Sequence, residues 1–223
     1  MAAAAPGADV ESRLRISEIF LSLQGEADAV GWPTVFVRLT GCPLRCRWCD
    51  TAYAFEGGQW LLVDEILAQV VRHGARHVCV TGGEPLAQKR CLRLLARLCD
   101  AGHEVSLETS GALDVAGVDA RVHKVLDLKA PASGEQARNR WENLAHLRAQ
   151  DQVKFVLADR DDYDWARGVV QQHALAARCM VLFSPVYGEL VPADLAQWIL
   201  DDKLDVRFQM QLHKILWGEQ PGR

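Results

Sequence analysis

"FVRLTGCPLRCRWCDT", residues 36–51, decides how the rest of the chain is read. Its opening belongs to the β-branched run "TVFVRLT" (34–40), which reads as a strand. Its remainder sets Cys42, Cys46 and Cys49 in a loop that leaves the strand end directly. Three is an awkward number, because a closed zinc site takes four protein ligands and so does an ordinary iron–sulfur cluster. Three thiolates this close can grip three irons of a cubane while the fourth iron stays open. A zinc ion completed by a remote His or Cys is the other reading of the same spacing. Cys79 and Cys179 lie within apolar strands, and Cys91 and Cys99 are eight apart on one helix face. All four read as ordinary buried cysteines.

Outward from the cysteine loop, β-branched runs alternate with longer amphipathic stretches. Strands are expected at 34–40, 77–83, 104–110, 123–129, 152–158, 179–185 and 206–211. Helices are expected at 63–74, 88–101, 139–148, 163–175 and 192–200. In the first, Ile66, Leu67, Val70 and Val71 line one face, and Gly74 is the stop. Such alternation implies a parallel sheet with right-handed crossovers. About six or seven mainly parallel strands exceed a minimal βαβ domain and fall short of a full eight-stranded barrel. The expected fold is an α/β, incomplete TIM-like barrel, with its chemistry at the C-terminal ends of the strands.

Composition sets the class. Of 223 residues, 49% are hydrophobic and 24% charged, the profile of a soluble globular chain with ample core. A net charge of -4 gives no general pull toward nucleic acid or an anionic membrane. No apolar run approaches the ~20 residues needed to span a bilayer. "MAAAAPGADVESR" (1–13) reads as a flexible N-terminus, not a signal peptide. Residues 14–223 then form a single domain whose C-terminal tail closes the active site. Seven unevenly spaced cysteines argue for reduced thiols in the cytoplasm.

One βα unit after the cysteine loop comes "TGGEP" (81–85). Two glycines allow close backbone approach to a ligand, and the carboxylate beside them can engage an ammonium. Alone, Gly-Gly after a strand is more often only a tight turn. Together, Cys-x3-Cys-x2-Cys followed by Gly-Gly-Glu-Pro resembles the radical S-adenosylmethionine (SAM) superfamily. "ISEIFLSLQGE" (16–26), "VTGGEP" (80–85) and "QLHKILWG" (211–218) are similar to its 7-carboxy-7-deazaguanine synthase family.

The resemblance implies a 4Fe–4S cluster held by Cys42, Cys46 and Cys49, whose open iron binds SAM. It implies reductive cleavage of SAM to a 5′-deoxyadenosyl radical, which abstracts hydrogen from 6-carboxy-5,6,7,8-tetrahydropterin. The ring contracts to 7-carboxy-7-deazaguanine and ammonia leaves. Mg²⁺, a homodimer, and a reducing partner such as flavodoxin or ferredoxin are further implications. Direct nucleic-acid and membrane contacts are not.

By the same resemblance the substrate residues are Leu23, Gln24, Gly25, Glu26, Arg38 and Thr81, while the His–Trp tail directly after the last strand is expected to fold back across the barrel and bring His213 to the substrate. Gln24 and Glu26 can accept from the donors of an aminopyrimidinone edge, although they also read as a polar turn around Gly25. Ala27 stands where family members often carry glycine. Arg38 is the only charge in its strand and needs an anion, either a substrate carboxylate or a structural Asp or Glu. Thr51 is the implied Mg²⁺ ligand, with a plain cap or turn role as the alternative. Trp48, Asp50, Gly83, Glu84, Asp127, Lys129 and Ser184 are the implied SAM contacts. Glu108, Thr109 and Ser110 also end at the rim. No catalytic acid or base is assigned. The rival functions are an activating enzyme that generates a radical on a partner protein, and a non-catalytic iron–sulfur or zinc module.

Overall fold

The computed structural model describes residues 13–218, 220 and 222. Its strands are β1 (Arg13–Leu23), β2 (Pro33–Leu39), β3 (Gln59–Leu62), β4 (His77–Gly82), β5 (Glu104–Thr109), β6 (His123–Asp127), β7 (Gln152–Leu157), β8 (Met180–Pro185) and β9 (Arg207–Phe208). Its helices are α1 (Val63–His73), α2 (Cys91–Asp100), α3 (Arg160–Gln172), α4 (Pro192–Asp201) and α5 (Leu212–Trp217). The strands lie in the order β3-β1-β2-β4-β5-β6-β7-β8-β9. From β2 onward every neighbour is parallel, while β1 runs antiparallel to both β2 and β3. The sheet therefore holds seven parallel strands and stays open between β3 and β9, as the expected partial barrel does.

The parallel strands form where the sequence alternates because both of their faces are covered. Every residue of β7 is buried. α1 buries Val63, Ile66 and Val70, and Gly74 ends it in the left-handed conformation at φ 70°. Val71, expected on that face, is exposed, since one residue is a 100° turn away from Val70. The main apolar cluster runs from Leu14 to Ile199 and joins the sheet to its helices.

Several expectations are corrected. β1 and β3 were not anticipated, and they extend the sheet beyond the parallel set. Residues 1–12 of the expected flexible N-terminus lie outside the described residues, whereas Arg13 already opens β1. The segment 139–148 is not an α-helix but a 3-10 turn at Trp141–His146. Its buried Asn143 spends its side chain on Gly111 O, Leu113 O and Val115 N, holding a neighbouring loop. α3 starts three residues early because Asp159 caps it, accepting from Asp162 N at 2.9 Å. β9 stops at Phe208, and the Gln209 side chain turns to another loop. Cys99 is half-buried, unlike Cys79, Cys91 and Cys179.

Candidate active site

At the C-terminal ends of the parallel strands the fold encloses a cavity of about 450 Å³. Small-molecule sites span roughly 300–1,000 Å³. The cysteine loop forms one wall and is pinned by segments remote in sequence. Gly41 N donates to Ala54 O at 2.8 Å, and Arg47 N to Ser133 O at 3.0 Å. Arg47 also grips Glu189, beyond β8, through two bonds of 2.7 and 3.1 Å.

The "GGEP" turn docks into the base of this loop. Gly83 N donates to Leu39 O at 3.2 Å and Glu84 N to Gly41 O at 2.8 Å. A Cβ on Gly83 would overlap Gly41 O and the Cys42 side chain, so only glycine permits this approach. The two motifs, more than thirty positions apart in sequence, thus share one wall.

Cys42, Cys46 and Cys49 are all half-buried and line the cavity. Burial pushes the Cys42 thiol up, and pushes Cys46 up to about 11 against the opposing pull of Lys129. Thiols so held become thiolates when a cation displaces the proton. Three thiols on one loop that face one cavity fit a cluster in which each binds its own iron.

Asp50 and Thr51 follow at the rim. The Thr51 hydroxyl donates to Asp50 Oδ1 at 2.7 Å and makes no cap bond to the turn Ala52–Phe55. Crowding pushes the Asp50 carboxyl up, but the Thr51 bond and the charges of Lys214, His213 and Lys154 outweigh it, so it lies below the usual range. His213 Nε2 and Lys214 Nζ stand 3.9 and 3.8 Å from Asp50 Oδ2.

The opposite wall comes from the turn after β1. Gln24 Oε1 accepts from Gly25 N at 2.8 Å, and its Nε2 donates to Glu108 at 3.1 Å. Thr81 donates to the other Glu108 oxygen at 3.2 Å. Leu23 also lines this side. α5 lies against the turn: Leu212 N donates to Gly25 O at 2.9 Å, and the His213 ring fills the space beside Gly25.

A line of alternating charge crosses the floor. Gln211 donates to Glu26 Oε1 at 2.6 Å, and Lys154 bonds Glu26 Oε2. Lys154 Nζ is also 3.6 Å from Asp127, which pairs with Lys129 at 2.9 Å. Burial works against the Lys154 charge, but Glu26, Asp127 and Glu108 outweigh it and hold the ammonium above the usual lysine range.

Arg38 takes the structural partner that its sequence position left open. Its Nε donates to Glu18 on β1 at 2.7 Å, and Tyr53 donates to the same oxygen at 2.7 Å. The Arg38 side chain nevertheless lines the cavity, with Phe20 and Phe36 stacked beside it.

Two implied contacts lie apart from the cavity lining. Glu84 does not line the cavity. It is fully buried, and its carboxylate accepts from Leu86 N, the Thr109 hydroxyl, and both the amide and hydroxyl of Ser110. It fastens the end of β4 to the end of β5, with no oxygen turned to a ligand. Ser184 is also fully buried and away from the cavity, its hydroxyl unpaired among the described residues. The other implied residues, including Trp48, line the cavity together.

Sequence reasoning missed Lys154, Gln211 and Lys214 as lining residues. Lys154 carried a readable signal, being the lone charge in an apolar strand just as Arg38 is.

The radical SAM superfamily pattern matches residues 36–130. A 7-carboxy-7-deazaguanine synthase of Chlorobaculum tepidum is 46% identical over 211 residues, covering 93% of this chain and 96% of that protein. The protein of that name from Koribacter versatilis is 44% identical over 219 residues, covering 92% and 97%. The crystal structure of QueE from Escherichia coli superposes with a TM-score of 0.74 at 23% identity, covering 94% of this chain and 100% of that one. At that identity the likeness speaks for the fold alone.

Proposed function

The chain belongs to the 7-carboxy-7-deazaguanine synthase family of radical SAM enzymes, and from this premise we propose how its residues divide the work. The enzyme contracts 6-carboxy-5,6,7,8-tetrahydropterin to 7-carboxy-7-deazaguanine with release of ammonia, a lyase step of 7-deazapurine and queuosine biosynthesis. The 4Fe–4S cluster and SAM, when bound, supply hydrogen abstraction from the substrate.

The observation that carries the reading is the packing of Gly83 on Gly41 and Cys42, which puts both motifs on one wall of one cavity. Cys42, Cys46 and Cys49 hold the cluster. Trp48, Asp50, Gly83, Asp127 and Lys129 are the chain's SAM contacts, with Lys129 and Asp127 offering one charge of each sign.

Across the cavity, Gln24, Glu26 and Glu108 offer acceptors to the N–H donors of the aminopyrimidinone ring. Leu23, Gly25 and Thr81 shape that subsite. Arg38 donates to the substrate carboxylate with the terminal nitrogens that Glu18 leaves unused. Thr51 would be the protein ligand of Mg²⁺, which would help orient the substrate carboxylate. α5 closes the cavity and presents His213 to the substrate. Such an enclosed space suits a small substrate better than a radical-accepting partner protein. The family also supports a homodimer reduced by flavodoxin or ferredoxin, and a cytoplasmic setting follows from the need for reduced thiols.

Anaerobic reconstitution with iron and sulfide, followed by SAM, dithionite, Mg²⁺ and the tetrahydropterin, tests the reading. A deazaguanine product with equimolar ammonia is expected. Absence of both overturns it.

A further inference from the structure

Lys154 stands in the middle of a strand whose every residue is buried, yet its ammonium reaches the cavity floor. It meets Glu26, a carboxylate on a turn more than a hundred positions earlier. Glu26 is only 6% exposed, and its other oxygen is held by Gln211 at 2.6 Å. A carboxylate in such a place needs its oxygens paired with donors or an opposite charge. The other charged groups around this floor are Asp127 and Lys129 from the β6 end, Glu108 from β5, Arg38 from β2, and Asp50, His213 and Lys214 at the mouth. Lys129 is committed to Asp127 and Arg38 to Glu18. Lys154 bonds Glu26 directly.

We propose that Lys154 is a positioning residue for substrate recognition, holding the Glu26 carboxylate turned into the cavity as an acceptor for the donors of the pterin ring. Removing the ammonium takes away the buried partner of Glu26 Oε2, so the acceptor that faces the substrate is no longer held in place. Lys154 therefore acts on the substrate through Glu26, and the inference rests on the substrate reading given above.

Binding of 6-carboxy-5,6,7,8-tetrahydropterin to the reconstituted enzyme with SAM and no reductant tests it. Titration calorimetry is run under anaerobic conditions on wild type, Lys154→Met, Glu26→Gln and the double variant. Lys154→Met should bind at least about tenfold more weakly than wild type, and should cost little further affinity in the Glu26→Gln background, because it acts through Glu26. The inference is overturned if Lys154→Met keeps wild-type affinity, or if it weakens binding by the same factor in both backgrounds. Should Lys154→Met fail to fold, Lys154→Gln replaces it in the same cycle, with the same outcomes deciding. No binding by the wild-type enzyme overturns the substrate reading itself, a result distinct from every variant outcome.

Discussion

The side-chain amide of Gln209 brackets the backbone of Ala27. Its Oε1 accepts from Ala27 N at 2.7 Å, and its Nε2 donates to Ala27 O at 2.8 Å. Ala27 has φ 64°, in the left-handed region, where a Cβ costs about 1–2 kcal/mol. The clamp from Gln209 helps hold Ala27 in that conformation. Ala27→Gly should raise unfolding stability by about 0.5–1 kcal/mol, after the loss of methyl packing on Val125 and Leu182. Gln209→Ala should lower it by about 2 kcal/mol, since it orphans two buried backbone groups. Denaturant titrations measure both, and a destabilised Ala27→Gly would show that methyl packing dominates.

Gly25 is enforced by a neighbour. The His213 ring occupies the position that a Cβ would take. Gly25→Ala should displace α5 and weaken pterin binding by about tenfold, roughly 1.4 kcal/mol. Iron content after reconstitution should match wild type, because the cysteine loop lies on the other wall. Unchanged binding would mean that α5 shifts without consequence.

Glu84 acts as a bracket between two strand ends, so its removal should be felt in stability. Glu84→Ala leaves the Ser110 amide and the hydroxyls of Ser110 and Thr109 without their acceptor, and should cost about 3 kcal/mol. Glu84→Gln keeps one acceptor oxygen and should cost less. Thermal melts rank the two; equal melting of wild type and Glu84→Ala would refute the bracket.

A pH dependence belongs to the turn that carries Gln24 and Glu26. Asp28 lies 3.8 Å from His123 on β6. Their pairing, working against burial, lowers Asp28 below its ordinary 3.8 and raises His123 above its ordinary 6.5. The His123 contribution is complete below pH 6.5 and fades as pH rises through its raised value. The Asp28 contribution is complete above pH 3.8 and fades as pH falls through its lowered value. The pair thus stabilises most between those limits. Both groups are over a third exposed, so screening leaves at most about 0.5–1 kcal/mol. Asp28→Asn should therefore cost more at pH 5.5 than at pH 8.5 in denaturant titrations. An equal cost at both would exclude the pair.

Much of the fold was legible because periodicity is local. Each of the seven parallel strands is a short apolar run bounded by turn residues, and such runs need no knowledge of their partners. β1 was less legible: its register shifts between Ile16 and Glu18, which breaks the simple alternation. The 3-10 turn around Asn143 looked helical because Trp141 and Leu144 are spaced like a helix face. Only the distant carbonyls of Gly111 and Leu113 reveal that Asn143 is spoken for.

The sequence by itself determined that three cysteines leave a strand end, that a Gly-Gly-Glu-Pro turn leaves the next, and that a parallel sheet brings such ends together. Tertiary structure alone decided what the charged groups do there. Glu84, next to the glycines, turned inward to Thr109 and Ser110, while Lys154, absent from every motif, came up beneath Glu26. The reason is physical. Local spacing encodes which face a side chain occupies, but a buried charge is defined by its partner. The partners of Glu26, Lys154 and Gln211, sit 128 and 185 positions away along the chain.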